Sequence, residues 1–242
     1  MLSRFFASFD PSSLRPDQPL VVIGDVHGCA PLLSRALERA GDAQVICVGD
    51  YVDRGPQSAD VLHLLRSRPN VICIGGNHED MMLNFLDNPL QHYARWLQYG
   101  GRTTMESFGV DARTGESDPV ALRDMLVAAM GGSLIEWLNV RPDRFVSGNV
   151  AVVHAAADPD QEIEVQASHT LRWGHRRFHS RARKDGMWVV HGHTVVPEGV
   201  AQRGRISVDT GAYATGRLTV ARITTGAVKF EVIDDSRCAP QG

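Results

Sequence analysis

Short apolar runs alternate with amphipathic stretches over the first third of the chain. Residues 20–23, 45–48 and 71–74 are compact runs rich in Val and Ile, each followed by Gly and an acidic or amide residue, the mark of strands that end in turns. Between them, residues 31–40 and 58–68 carry apolar positions at helical spacing. Pro31 suits a first helical turn, and Gly41 suits a helix end. This alternation predicts a βαβαβ unit with a parallel core. Its right-handed crossovers would bring the three strand ends to one edge.

The pattern then changes period. Met81, Met82, Phe85 and Leu86, and later Leu122, Met125, Leu126 and Ala129, recur as on helices. Asp118-Pro119 reads as an N-cap followed by a first-turn proline. Residues of about 80–140 are therefore expected to form a helical insertion flanking the sheet. From Arg144 the chain reads as β. Residues 145–147 and 150–154 flank the turn Gly148-Asn149 as a hairpin, and strands are expected at 188–190, 205–208, 218–223 and 228–233. Residues 158–187 are polar and irregular and are expected to form a long loop. No repeat or linker divides the chain, so a single domain over residues 1–242 is expected.

Composition narrows the class. At 242 residues, with 43% apolar and 22% charged residues, the chain is long enough to bury a sizeable core. A net charge of −3 gives no electrostatic reason to expect a nucleic acid or an anionic membrane as partner. Lys184 and Lys229 are the two lysines, so positive charge is nearly all arginine. That suits phosphate recognition, but a codon bias would give the same composition. Cys29, Cys47, Cys73 and Cys238 show no paired spacing, and Cys47 and Cys73 sit in strand runs as small hydrophobes. Residues 1–10 hold Phe5, Phe6 and Phe9 but no apolar stretch long enough for a signal peptide or membrane span. A cytoplasmic protein is expected. Residues 234–242 are too few to add a regulatory domain.

Chemistry concentrates where the strand runs end. The five clusters are Gly24-Asp25-Val26-His27-Gly28, Gly49-Asp50-Tyr51-Val52-Asp53-Arg54-Gly55, Gly75-Gly76-Asn77-His78-Glu79, His154, and His191-Gly192-His193-Thr194. Taken singly, each reads equally as a polar strand-end turn. Together, on loops along one sheet edge, they can converge. Asp25 and His27 could grip one divalent ion. Asp50 could offer an oxygen to each of two ions about 3.5–4 Å apart. Asn77 would add a neutral carbonyl, and His154 and His193 would add nitrogens. Mixed N and O donors favour Mn²⁺, Fe or Zn²⁺ over Ca²⁺. His191, two residues from His193, is expected to face away from the others. His169, His175 and His179 are expected to be solvated or substrate-facing, Cys29 to serve packing and Asp209 to brace the site.

These motifs, in this order, resemble the metal-dependent phosphoprotein phosphatases within the calcineurin-like metallophosphoesterases, most of all their small bacterial and phage serine/threonine phosphatases. The likeness extends to Gly100-Gly101 and to residues 206–212. The resemblance implies a β-sandwich of mixed sheets flanked by helices, around the βαβαβ core. It implies a phosphomonoester hydrolase in which Asp25, His27 and Asp50 hold one metal while Asp50, Asn77, His154 and His193 hold the second. It makes His78 the general acid oriented by Asp53, and Arg54 a phosphate ligand. A phosphorylated protein or peptide would be the substrate, and two divalent ions, Mn²⁺ first among them, the cofactor.

The sequence also departs from that family. Many relatives carry arginine where Gly75 stands, and a phosphate-binding arginine follows a tryptophan where this chain has His175. Arg176 or Arg172 is the candidate substitute. Ala155-Ala156 follows His154 where glycine is common. These departures bear on how phosphate is held, so hydrolysis of a dinucleoside polyphosphate such as diadenosine tetraphosphate is a competing expectation. Asp53, which that nucleotide branch usually lacks, favours the phosphoprotein. A metal-free binding scaffold is the third, opposed by the retention of all six ligand-type residues.

Overall fold

The computed structural model describes residues 10–41, 43–113, 118–235 and 238. The expectations for residues 1–9, and those for the C-terminal tail beyond 235 apart from Cys238, lie outside these residues. The anticipated βαβαβ unit is present as β1 (Leu20–Ile23), α1 (Ala30–Ala40), β2 (Gln44–Cys47), α2 (Ser58–Arg66) and β3 (Val71–Cys73). The helical section follows as α3 (Asn77–Asp87), α4 (Pro89–Gln98), α5 (Gly101–Ser107), α6 (Pro119–Met130) and α7 (Gly132–Asn139). Asp118 caps α6 by accepting the amides of Val120 and Ala121, with Pro119 in the first turn.

The remaining chain forms β4 (Arg144–Ser147), β5 (Val150–Val153), α8 (Ser168–Trp173), β6 (Trp188–His191), β7 (Val200–Gln202), β8 (Arg205–Ser207), α9 (Ala212–Thr215), β9 (Arg217–Thr224) and β10 (Ala227–Asp234). The expected long loop at 158–187 is therefore not wholly irregular: it contains a 3₁₀ turn at Ile163–Val165 and the helix α8. Only Leu171 of α8 is buried, so its sequence carries no apolar stripe to betray a helix.

Two five-stranded mixed sheets result, ordered β10-β9-β1-β2-β3 and β4-β5-β6-β8-β7. In the first, β1 pairs parallel with β2 and β2 with β3, while β9 and β10 add antiparallel strands. In the second, β5, β6 and β8 are parallel and β4 and β7 close the edges antiparallel. Side chains alternate faces along a strand, and the burial follows. Leu20, Val22, Ile46, Val48 and Ile74 meet Val150, Val152, Trp188, Val190, Ile206 and Val208 between the sheets. Val21, Ile23, Val45, Cys47, Val71 and Cys73 face the helices. Ala151, Val153 and Val189 face Leu171, Ile163 and Phe178 on the outer side of the second sheet.

The ends of β1 and β8 approach closely. A Cβ on Gly24, just past β1, would lie 2.2 Å from the Val208 carbonyl oxygen, so only glycine lets the ends of β1 and β8 meet. No described helix is long and apolar enough to cross a membrane.

Candidate active site

Loops following β1, β2, β3, β5 and β6 place their polar residues around Asp50. Its Oδ2 lies 3.5 Å from His27 Nε2 and 3.9 Å from His78 Nε2, and its Oδ1 lies 3.3 Å from His154 Nε2. Asn77 Oδ1 sits 2.8 Å from both His154 Nε2 and His193 Nδ1. Asp25 joins through Oδ2, which accepts the His193 amide at 2.9 Å. All six residues expected as ligands thus reach one pocket, buried except for the partly exposed His193. The tightest three-donor groups are His27–Asp50–His78 and Asp50–His154–His193, so His78 stands in the first group and Asp25 beside it.

The donor chemistry fits divalent cations. His27 Nδ1 lies 2.8 Å from the Val52 carbonyl, and His154 Nδ1 lies 3.0 Å from the Val48 carbonyl. A carbonyl only accepts, so in each ring Nδ1 bears the proton and Nε2 presents a lone pair. Burial keeps both rings neutral, driving His27 down to about 3 and His154 to about 4 against the opposing pull of Asp50. Lone pairs then face carboxylate and amide oxygens. That arrangement repels unless a cation lies among them. Asp25 Oδ1 is buried without a hydrogen-bond partner among the described residues, a costly state for a carboxylate that a cation would relieve. Burial, and the neighbouring Asp209 and Asp50, push Asp25 well above the usual carboxylate range.

The loop after β2 also joins a carboxylate to the first turn of α3. Asp53 Oδ2 lies 2.7 Å from His78 Nδ1. Burial would lower His78, but the nearby Asp50 and the bond to Asp53 outweigh it and raise the imidazole. Arg54, the next residue, lays its guanidinium 4.6 Å over the ring of Tyr213, which meets the edge of His27 at 5.2 Å. Tyr213 was not anticipated from the sequence, since α9 is a single short turn with only Ala212 buried.

Backbone conformation is unusual at these loops. His27 (φ 42°), Asp50 (φ 50°), Asp53 (φ 71°), Arg54 (φ 70°) and His193 (φ 62°) all occupy the left-handed region, which side chains other than glycine disfavour. Glu79 holds the loop at Asp50. Its carboxylate accepts the amides of Asp50 at 2.9 Å, Tyr51 at 2.7 Å and Gly76 at 2.9 Å. It was read only as part of the Asn77-His78-Glu79 cluster, whose spacing says nothing of a loop 28 residues away. Burial pushes Glu79 up to about 7, with Asp50 adding to the rise.

Other expectations fall elsewhere. Arg172 bonds Asp80 through Nη1 at 2.6 Å and Asp143 through Nε at 2.7 Å, and donates Nη2 to the Arg141 carbonyl at 3.1 Å. Its Cζ lies 2.7 Å from where a Cβ on Gly75 would stand. The missing arginine at 75 and the placement of Arg172 are therefore one fact: the space is filled from the other side by a guanidinium already occupied by two carboxylates. Arg176 is exposed. His175 Nε2 lies 3.7 Å from Asp158. His191 is buried with Nε2 2.9 Å from Ser207 Oγ, away from the ligand group. Asp209 accepts the Gly211 amide at 2.8 Å, and Cys29 is buried.

The chain is similar to known proteins along most of its length. The chain is 27% identical over 210 residues to serine/threonine-protein phosphatase 1 of Salmonella typhimurium, covering 84% of this chain and 90% of that one. It is 26% identical over 232 residues to the asymmetrical bis(5'-nucleosyl)-tetraphosphatase PrpE of Oceanobacillus iheyensis, covering 83% and 87%. A crystal structure provisionally called a diadenosine tetraphosphatase superposes with a TM-score of 0.64 at 18% identity, over 93% of this chain and 96% of that one, a likeness of fold. The profile of the calcineurin-like phosphoesterases matches residues 18–197, the span that carries every strand-end cluster described above, and the chain belongs to that family.

Proposed function

We propose that this phosphoesterase is a protein phosphatase that hydrolyses phosphoserine or phosphothreonine with two divalent cations, Mn²⁺ the first candidate. Asp25, His27 and Asp50 would hold one cation and Asp50, Asn77, His154 and His193 the other. When bound, such a pair acidifies a water to make a nucleophile and neutralises phosphoryl charge. Arg54 would pair two phosphoryl oxygens and orient the phosphorus for in-line attack. His78 would give its Nε2 proton to the leaving oxygen as the P–O bond breaks, while Asp53 holds Nδ1–H and stabilises the cationic ring.

The observation that carries the substrate class is the 2.7 Å contact between His78 and Asp53. A serine or threonine alkoxide leaves poorly without a proton, whereas a nucleotide phosphate leaves well unaided. An acid this deliberately oriented supports the alkyl ester. Dinucleoside polyphosphate hydrolysis is the second reading, supported by the likeness to PrpE along most of both chains and by Gly75 and His175, which leave Arg54 and the exposed Arg176 to hold phosphate. The four buried cysteines, all free thiols, support action in the reducing cytoplasm. Phosphate release from a phosphoserine peptide, p-nitrophenyl phosphate and diadenosine tetraphosphate, each with Mn²⁺ and with chelator, tests the proposal. Turnover of the nucleotide far above the peptide would overturn it, and no turnover with any divalent metal would return the protein to a binding role.

A further inference from the structure

Helices α4 and α5, from the section between β3 and β4, both reach Asp53 with buried side chains. Trp96, near the end of α4, is fully buried, and its Nε1 lies 3.0 Å from each Asp53 carboxylate oxygen. Thr104, on α5 and also fully buried, donates Oγ1–H to Asp53 Oδ1 at 2.7 Å and accepts the Asp53 amide at 2.8 Å. The indole nitrogen is a donor only. Asp53 Oδ1 is thereby engaged, and Oδ2 is turned to His78 Nδ1.

Two adjacent glycines make the approach possible. A Cβ on Gly101 would stand 2.6 Å from the Trp96 indole, so the ring lies flush against that backbone. A Cβ on Gly100 would meet the Arg54 amide nitrogen at 2.6 Å, and the Gly100 carbonyl accepts that amide at 3.4 Å. Phe85 packs against Trp96 at a tilt of 33°, with ring centroids 4.9 Å apart. Residues 96, 100, 101 and 104 therefore seat a whole helix junction on Asp53 and Arg54.

We propose that Trp96 and Thr104 are positioning residues for the acid: Thr104 engages Oδ1, Trp96 bonds both oxygens and holds the carboxylate plane, and together they present Oδ2 to His78 and so set how well His78 delivers its proton. Apolar packing alone would bury this carboxylate without orienting it. A buried carboxylate free to turn about its terminal torsion would share its bond with His78 among several geometries. The inference rests on the phosphomonoesterase reading above, and its kinetic signature is a leaving-group effect.

Trp96→Phe keeps the ring and removes the donor. With Mn²⁺ present, kcat and KM are compared for a phosphoserine peptide and for p-nitrophenyl phosphate. The expected result is a kcat loss about tenfold larger on the alkyl ester than on the aryl ester, the size of one hydrogen bond to a charged group, with KM little changed. Thr104→Val is expected to behave the same way and Thr104→Ser, which keeps the hydroxyl, to restore the wild-type ratio. Equal losses on both esters, or no loss, would overturn the proposal. If Trp96→Phe does not fold, the threonine pair decides.

A second readout needs neither metal nor turnover. The His78 Nδ1–H proton should give a downfield NMR signal in the metal-free protein, identified by its absence from His78→Gln. It is expected to shift or broaden in Trp96→Phe and Thr104→Val but not in Thr104→Ser, and an unmoved signal in the first two would overturn the proposal. Should the wild type hydrolyse neither ester, the functional reading fails, while this signal still decides whether the clamp exists.

Discussion

Asp25, His27, Asp50 and Asn77 come from the ends of three consecutive parallel strands of the first sheet, whereas His154 and His193 come from β5 and β6 of the second. The first set is assembled by local βαβ connections. The second reaches the pocket only because the sheets pack face to face, and it leans on the first for orientation. His154 Nδ1 bonds the Val48 carbonyl just past β2, and the His193 amide bonds Asp25. One half of the site is therefore a scaffold for the other, and Asp50 belongs to both.

That asymmetry can be broken in stages. Asp50→Asn removes the shared carboxylate, so phosphate release should fall by about a thousandfold or more, and chelation of the wild type should do the same. Isothermal titration would show whether tight binding of both ions is lost, and survival of two tight sites would end the bridging role. Gly24→Ala forces a Cβ into the Val208 carbonyl where the sheets join. It should cost about 3 kcal/mol of stability in urea and harm the second half of the site more than the first. His154→Ala should lower turnover by about a hundredfold while leaving one metal bound, and loss of both would show that neither half stands alone. Arg172→Ala should lower stability by about 1–2 kcal/mol, because two partly buried carboxylates lose their partner, with KM changed less than about twofold. A tenfold rise in KM would return Arg172 to the substrate.

Legibility followed a different divide, between local runs and distant pairings. The strand ends carrying Asp25, Asp50 and Asn77 were readable because β-branched runs bounded by Gly are a local signal, and the parallel order followed from the helices between them. The pairing of β9 beside β1, and of β8 between β6 and β7, has no local signature, since register across distant segments depends on packing. β7 is three residues long with no buried position and escaped notice for that reason. The contacts of Trp96, Thr104 and Tyr213 were equally hidden. Their helical positions look like ordinary surface or core residues until the fold brings Asp53 and Arg54 to them. The pairing of Arg172 with Asp80 and Asp143 was hidden too, because a cluster of arginines in sequence does not reveal which are already paired.

The left-handed backbone at His27, Asp50, Asp53, Arg54 and His193 makes heat tolerance and turnover pull against each other. Each such position holds a side chain of the proposed site where glycine would be more comfortable, by about 1 kcal/mol. Arg54→Gly should accordingly unfold at a higher temperature than Arg54→Ala, though both would lose the proposed phosphate contact. A lineage selected only to survive warming would wear away its working residues before its core.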